Sequence, residues 1–166
     1  NLYRSIGYVS KKRCKITQSV KFNIENKAEM LFNLNNFSLF SSHIILSGWL
    51  SEGVFIKSYN LLLNGYTFNK EMEPKIYDYS AVQSLGLNYN HFIFNGRNKD
   101  DGTGLIIIPL ASKAFSGSSI PLDKFSTIEL KVVLTAIAGS SSYLNVTCIG
   151  ETIIEYENST ANIQLF

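Results

Sequence analysis

Cysteine and histidine are scarce in this chain of 166 residues, which contains two of each. With Cys14 and Cys148 as the sole cysteines, at most one disulfide can form, so a fold held together by several disulfides is excluded. We expect both thiols to be reduced and buried.

Charged residues and long apolar runs are also in short supply. Charged side chains make up 17% of the chain and the net charge is +2, which by itself does not indicate a polyanionic partner. No apolar run approaches the roughly 18 residues of a membrane span, and the N-terminus lacks the charged region and apolar core of a signal peptide. We therefore expect a soluble, intracellular protein. Because the chain opens on Asn1 rather than Met, we keep open that it is a piece of a longer protein.

Apolar and aromatic side chains are abundant. Hydrophobic residues reach 45% and aromatic residues 13%, a balance that favours β-structure over helix bundles. The length fits one domain with a sizeable core. The composition therefore predicts a single all-β domain.

Alternation of apolar and polar residues locates the strands. Residues 14–24 and 128–134 each alternate with a period of two, which predicts two half-buried strands. Asn64 and Gly65 lie between β-prone residues and predict a tight hairpin turn, because both central turn positions need positive φ. Further strands are predicted at 43–50, 89–94, 104–110 and 143–156. Gly150 is a candidate bulge in the last of them.

About eight antiparallel strands must each bury one face, and a two-sheet sandwich is favoured over a closed barrel. Long connections after Gly65 and after Pro109 are what Greek-key and jelly-roll windings require. One short helix is predicted within residues 77–86. The predicted fold is thus all-β: a single jelly-roll (Greek-key) β-sandwich of about eight antiparallel strands with one short helix.

The chain contains few residues of the types that commonly act in catalysis. General acid-base chemistry usually draws on His or on paired carboxylates, but His43 and His91 lie in strand-like contexts with no Cys, Asp or Glu at ligand spacing. We therefore predict no catalytic residue, no metal site and no cofactor, and a protein that is not an enzyme.

The segment at residues 95–104 resembles a calcium-binding loop only superficially. Arg97 and Lys99 stand where the loop pattern needs carboxylate or amide ligands. A solvated turn is therefore favoured over an irregular cation site at Asp100 and Asp101.

A basic cluster lies at the start of the first predicted strand. Its members are Lys11, Lys12, Arg13 and Lys15. On a short arm, such a cluster suits contact with phosphates or with an acidic neighbour, and the alternative is a charged strand end that discourages edge pairing. We assign residues 1–13 to a basic N-terminal arm, with nucleic acid or a protein partner as its possible contact, and residues 14–166 to the jelly-roll domain.

The stretch "GLIIIPL" predicts a strand buried on both faces that stops at Pro109, because proline ends ladder hydrogen bonding. A loop, a second Pro-Leu pair and the alternating strand at 128–134 follow it. This order, with the Asn-Gly turn upstream, resembles the jelly-roll capsid proteins, of major capsid or penton type, of large icosahedral DNA viruses and virophages. The resemblance covers residues 54–135. The matching residues are Ile108, Pro109, Leu110, Phe115, Ile120, Pro121, Leu122 and the strand from Ile128 to Leu134.

The resemblance implies a structural coat protein that forms pentameric, trimeric or pseudo-hexameric capsomers with itself and other capsid proteins. Its location would be the virion, assembled inside the host cell. Major capsid proteins of the family carry two jelly rolls, whereas 166 residues accommodate one. The chain would therefore be a penton-type protein, a minor capsid component or one half of a longer protein.

Contacts between subunits are expected at loop and edge side chains, because aromatic residues are enriched at interfaces. The candidates are Tyr77, Tyr79, Arg97, Asp100, Asp101 and Phe115.

Two other classes of function stay open. A lectin-like or receptor-binding sandwich would expose Tyr66, Tyr89 or Trp49 for stacking on sugar rings. A cupin-like enzyme would need His and carboxylate ligands converging on a metal, and two scattered histidines argue against it.

Overall fold

The computed structural model describes residues 9–37, 40–68, 83, 103–111, 120–157 and 160–164. Ten β-strands lie within these ranges, together with a 3₁₀ turn at Leu122–Lys124. The strands are β1 (Val9–Asn23), β2 (Glu29–Asn33), β3 (Phe40–Trp49), β4 (Ile56–Leu63), β5 (Tyr66–Thr67), β6 (Thr103–Pro109), β7 (Ile120–Pro121), β8 (Ile128–Leu134), β9 (Tyr143–Glu157) and β10 (Thr160–Gln164). The prediction of an all-β fold is confirmed.

Strand pairing shows how the chain winds. β1 pairs with β9, β2 with β8, β3 with β6 and β4 with β5, all antiparallel. These pairs make one double-stranded ribbon, which wraps so that successive pairs alternate between two sheets. The edges of the ribbon then join where β3 pairs with β9 and β4 with β8.

The resulting strand orders are β1-β9-β3-β6 in sheet A and β2-β8-β4-β5 in sheet B. β10 extends sheet A beside β9, and β7 pairs with the start of β3. This is the winding of a jelly-roll sandwich. The predicted fold class is confirmed.

Alternation decides which side chains enter the core between the sheets. β8 buries Ile128, Leu130, Val132 and Leu134, and its intervening residues are half-buried. Burying one such side chain contributes about 1.5–3 kcal/mol relative to leaving it exposed. In β1, the even-numbered residues of 14–22 are half-buried and the odd-numbered ones are exposed, as the sequence pattern predicts.

β6 is covered on both faces. Ile106, Ile107 and Ile108 are each at most 3% exposed, and Pro109 ends the strand. Ile106 and Ile108 belong to the main core cluster and Ile107 lies on the opposite face. The predicted buried strand that stops at Pro109 is confirmed.

The predicted hairpin at Asn64 and Gly65 is confirmed by their φ angles of 52° and 76°. The bulge prediction for Gly150 is wrong, because β9 keeps an unbroken register with β1 through that residue. The irregularity lies on the partner strand β3, between Ser41 and His43. The extra residue is Ser42.

Some elements differ from the sequence prediction. β1 begins at Val9 rather than residue 14, and β2, β7 and β10 were not predicted. β7 has two residues, too few for a periodic signal, and β2 and β10 have five each. The predicted strand at 89–94 lies outside the described residues. So does the predicted helix at 77–86, apart from Gln83, whose backbone is helical.

Candidate functional site

The predicted interface loops fall mostly outside the part of the chain that the structure describes. This applies to Tyr77, Tyr79, Arg97, Asp100, Asp101 and Phe115. Their role in subunit contacts stays a prediction.

The basic cluster belongs to β1. The backbone of Lys11, Lys12 and Arg13 pairs with β9, and the register sets Lys11 opposite Glu155 and Lys15 opposite Glu151. Lys15 is exposed. Opposite charges directly across a β-ladder are a favourable pairing. For Lys15, the register with Glu151 gives a structural reason for the positive charge.

Cys14 and Cys148 lie on neighbouring strands, but register keeps them apart. Cys14 is opposite Thr152, and Cys148 is four residues further along β9. At a rise of about 3.4 Å per residue this separation along the strand is about 14 Å, beyond the roughly 7 Å that a disulfide can bridge. Both cysteines are free thiols. Cys148 is fully buried as predicted, and Cys14 is half-buried.

A buried polar cluster surrounds the bulge in β3. The Ser41 hydroxyl lies 2.7 Å from Cys148 Sγ, and the Ser42 hydroxyl donates to the carbonyl of Ile149 at 3.2 Å. Burial raises the pKa of Cys148 to about 11, against the opposing effect of the Ser41 hydrogen bond. A thiol held protonated in this way is a poor nucleophile.

His43 completes this cluster. Its side chain is fully buried, and Nδ1 lies 3.0 Å from the Ser42 hydroxyl oxygen. Ser42 Oγ can either accept from a protonated Nδ1 or donate to an unprotonated one, depending on the imidazole tautomer. Burial lowers the pKa of His43 to about 4. The imidazole is therefore neutral at pH 7 and fixed in the strand.

Within the described ranges, no three His, Cys, Asp or Glu side chains come together as a metal site. His91 and the segment at 95–104 lie outside those ranges. No helix in the described part of the chain has the length and hydropathy of a membrane span. The predicted absence of a metal and of a cofactor stays a prediction.

A groove runs along one open side of the sandwich, where β1 and β2 are the outer strands of the two sheets. Its volume is about 280 Å³. The rings of Phe22 and Phe32, with centroids 4.4 Å apart, bridge the two sheets there. We call this the edge groove. Its lining residues are Phe22, Asn23, Lys27, Glu29, Met30, Leu31, Phe32 and Asn33.

Leu31 lies on the rim of the edge groove and is 57% exposed. Sequence reasoning missed it. The available signal was the run Met30-Leu31-Phe32, because three successive apolar residues in a strand must send one to the opposite face from the other two. Met30 and Phe32 are buried in the core, so Leu31 points outward.

The fold defines the class: a jelly-roll β-sandwich shared with viral capsid proteins. Among solved structures, the chain is similar to the PBCV-1 virus capsid, with a TM-score of 0.61, 9% identity and coverage of 98% of this chain and 52% of that chain. It is also similar to PBCV-1 VP54 fitted into a reconstruction of the virophage Sputnik, with a TM-score of 0.59, 8% identity and the same coverages.

The major capsid protein P2 from bacteriophage PM2 also matches, with a TM-score of 0.43, 11% identity and coverage of 86% of this chain and 45% of that chain. The chain thus spans about half the length of the solved structures it matches. No family model matches the sequence, and no curated protein matches it. At these identities the likeness shows a common fold.

Proposed function

We propose that this chain is a structural viral coat protein, a penton or a major or minor capsid jelly roll, that self-associates into capsomers. The observation that carries the proposal is the jelly-roll winding, which matches the PBCV-1 capsid over 98% of the chain. Its partners would be further copies of itself and other capsid proteins. Its location would be the virion.

The described part of the molecule has the physical character that a shell subunit needs. A shell protein requires a rigid body whose loops and edges meet neighbours. The core here runs continuously between the sheets, and the buried His43 and Cys148 have pKa values shifted toward their neutral forms. These features support a scaffold that acts through its surface rather than through a reactive pocket.

The subunit contacts of this proposal lie on loops and strand edges. For the loops, we carry forward Tyr77, Tyr79, Arg97, Asp100, Asp101 and Phe115. For the basic cluster, we carry forward contact with nucleic acid or with an acidic protein neighbour. Lys15 lies opposite Glu151 in the ladder, and a lysine paired in this way contributes less to binding either kind of anionic partner.

Light scattering on the purified chain tests the proposal. We expect the mass to rise with concentration toward a defined multiple of 18.6 kDa, because closed capsomers have a fixed subunit number. A mass that stays at one subunit up to high concentration, at several salt concentrations, contradicts self-association.

One observation favours a second candidate, a lectin-like sandwich. Tyr66, the first residue of β5 in the β4–β5 hairpin, is 80% exposed, and Phe68 is 42% exposed two residues further on. Exposed aromatic rings suit stacking on sugars. A specific signal on a glycan array that is lost in Tyr66→Ala, in a chain that stays monomeric, supports this candidate over the capsid role.

A further inference from the structure

We propose that the outer edge of β2 is a self-association site, at which β2 of one copy pairs antiparallel with β2 of a second copy about a two-fold axis centred on Leu31. This inference rests on the proposed capsid role, which gives the reason why copies of the chain meet. It adds the surface and the strand register of one such contact.

Backbone geometry shows which groups of β2 face outward. The N–H of Leu134 donates to the carbonyl of Ala28 at 2.7 Å, and the N–H of Leu34 donates to the carbonyl of Ile128 at 2.8 Å. In an antiparallel ladder, hydrogen-bonded pairs alternate with non-hydrogen-bonded pairs. The backbone groups of the even-numbered residues of β2 therefore form hydrogen bonds with β8. The odd-numbered residues Glu29, Leu31 and Asn33 direct their backbone N–H and C=O groups away from β8.

Within the described ranges, β8 is the only strand that pairs with β2. The backbone N–H and C=O groups at these three odd-numbered positions of β2 thus have no strand partner within those ranges. Such an edge is a template for another strand. The edge groove beside it is open, and all of its lining residues belong to the described chain.

β1 and β2 are the two edge strands on this side of the sandwich, and they differ in the features that prevent pairing with another strand. β1 carries exposed lysines, Lys15 and Lys21, at outward positions, which is a common device against edge pairing. β2 has the sequence EMLFN, with no lysine, proline or bulge. At its centre it exposes Leu31. The edge of β2 is therefore the one suited to association.

The occupant is a second copy because β2 is complementary to itself. An antiparallel register centred on Leu31 sets Leu31 against the second copy's Leu31, and Glu29 against the second copy's Asn33. All of these are outward positions, so each pair can exchange two backbone hydrogen bonds. The Asn33 oxygen already accepts the N–H of Asn35, and Glu29 Oε1 pairs with Lys131 Nζ at 2.7 Å. The NH₂ group of Asn33 is thus a donor for the other carboxylate oxygen of the second copy's Glu29.

A cysteine cross-link tests this register directly. In hydrogen-bonded antiparallel pairs the Cα atoms are about 5.5 Å apart, within the range that a disulfide bridges. In a Cys14→Ser background, Leu31→Cys should give a disulfide-linked dimer under mild oxidation. Ile137→Cys is the matched control, since Ile137 is a 66% exposed apolar residue in the loop before β9. A yield for Leu31→Cys no higher than for Ile137→Cys overturns the inference.

Introducing a charge gives a second readout on the same surface. Leu31→Glu sets two glutamates against each other at the two-fold axis, and like charges directly opposite are destabilising. Within one subunit the new glutamate lies opposite Lys131, so the pairing of β2 with β8 is retained. We expect sedimentation to show that association through this edge is weakened about tenfold or more. Ile137→Glu should leave the association unchanged. Equal association of both variants and the unaltered chain contradicts the proposed edge contact.

The outcomes separate this inference from the proposed function. Capsomers that form while Leu31→Cys fails to cross-link leave the capsid role standing and remove the β2 contact. Cross-linked dimers in a chain that forms no larger assembly support the β2 contact and count against the capsid role.

Discussion

His43 is a polar residue buried in the sheet, and burial lowers the pKa of its imidazole below the ordinary value. It lies on β3 opposite Pro109 on one side and Ile149 on the other, fully buried. Its Nδ1 is satisfied by Ser42, the extra residue of the bulge. The bulge thus supplies the hydrogen-bond partner that allows an imidazole to be buried in neutral form.

This burial predicts a loss of stability in mild acid. The pKa of His43 falls from 6.5 to about 4 in the folded chain, so above pH 6.5 the imidazole is neutral in both folded and unfolded states and adds no pH dependence. Between about pH 6.5 and 4 the unfolded chain binds a proton that the folded chain does not, and the free energy of unfolding should fall by about 3 kcal/mol.

Urea denaturation at pH 7 and pH 4.5 checks this, with His43→Gln as the control for other titrating groups. The unaltered chain should lose more stability between the two pH values than the variant does. Equal losses contradict the assignment to His43.

Gly48 is required for close approach of β3 and β9. A Cβ atom added there would lie 2.2 Å from the carbonyl oxygen of Tyr143 and 2.9 Å from Cα of Leu144. Both are backbone atoms in the ladder, so they cannot move aside cheaply. We expect Gly48→Ala to lower the free energy of unfolding by about 3 kcal/mol or more.

Gly139→Ala is the matched comparison for this prediction. Its added Cβ meets only the Ser51 side chain, at 3.0 to 3.1 Å. In thermal unfolding, the melting temperature of Gly48→Ala should lie well below that of Gly139→Ala. The reverse order contradicts the packing described for β3 and β9.

At the scale of elements, the turn between β4 and β5 binds the segment before β8 through the side chain of Asn64, in addition to the ladder between β4 and β8. Asn64 Oδ1 accepts the N–H of Ser126 at 2.8 Å, the hydroxyl of Ser126 at 2.9 Å and the N–H of Thr127 at 3.2 Å. The N–H of Asn64 donates to the Thr127 carbonyl. The turn residue therefore also anchors the segment that leads into β8.

Substitution at Asn64 separates the turn role from the anchoring role. Asn64→Ala removes the acceptor and places alanine at a positive φ, which together should cost about 2–4 kcal/mol in the free energy of unfolding. Asn64→Asp keeps an acceptor in a residue type that tolerates this φ, and its cost should be smaller. Chemical denaturation that finds the two variants equal contradicts the anchoring role.

Alternation explains which elements sequence patterns could predict. β8 and the central part of β1 each bury one face, so their period of two is visible, and the Asn64-Gly65 turn requires residues that tolerate positive φ. β2 was hidden because Leu31 is apolar and exposed, which breaks the pattern. The position of the bulge depends on pairing between β3 and β9, which no local pattern records.

At the scale of the whole molecule, the winding was predictable but its surfaces were not. Long connections and the Pro109 stop indicated a jelly roll, and strand pairing confirms it. The edge groove arises only when β1 and β2, from opposite sheets, come to the same side of the sandwich. A surface made by tertiary arrangement leaves little trace in a single sequence.

Electron microscopy of the expressed chain tests self-association most directly. We expect closed rings or shells of uniform size, into whose density the sandwich fits as the repeating unit. Fields of single subunits at the highest soluble concentration, with no closed particles under any salt condition, would contradict it.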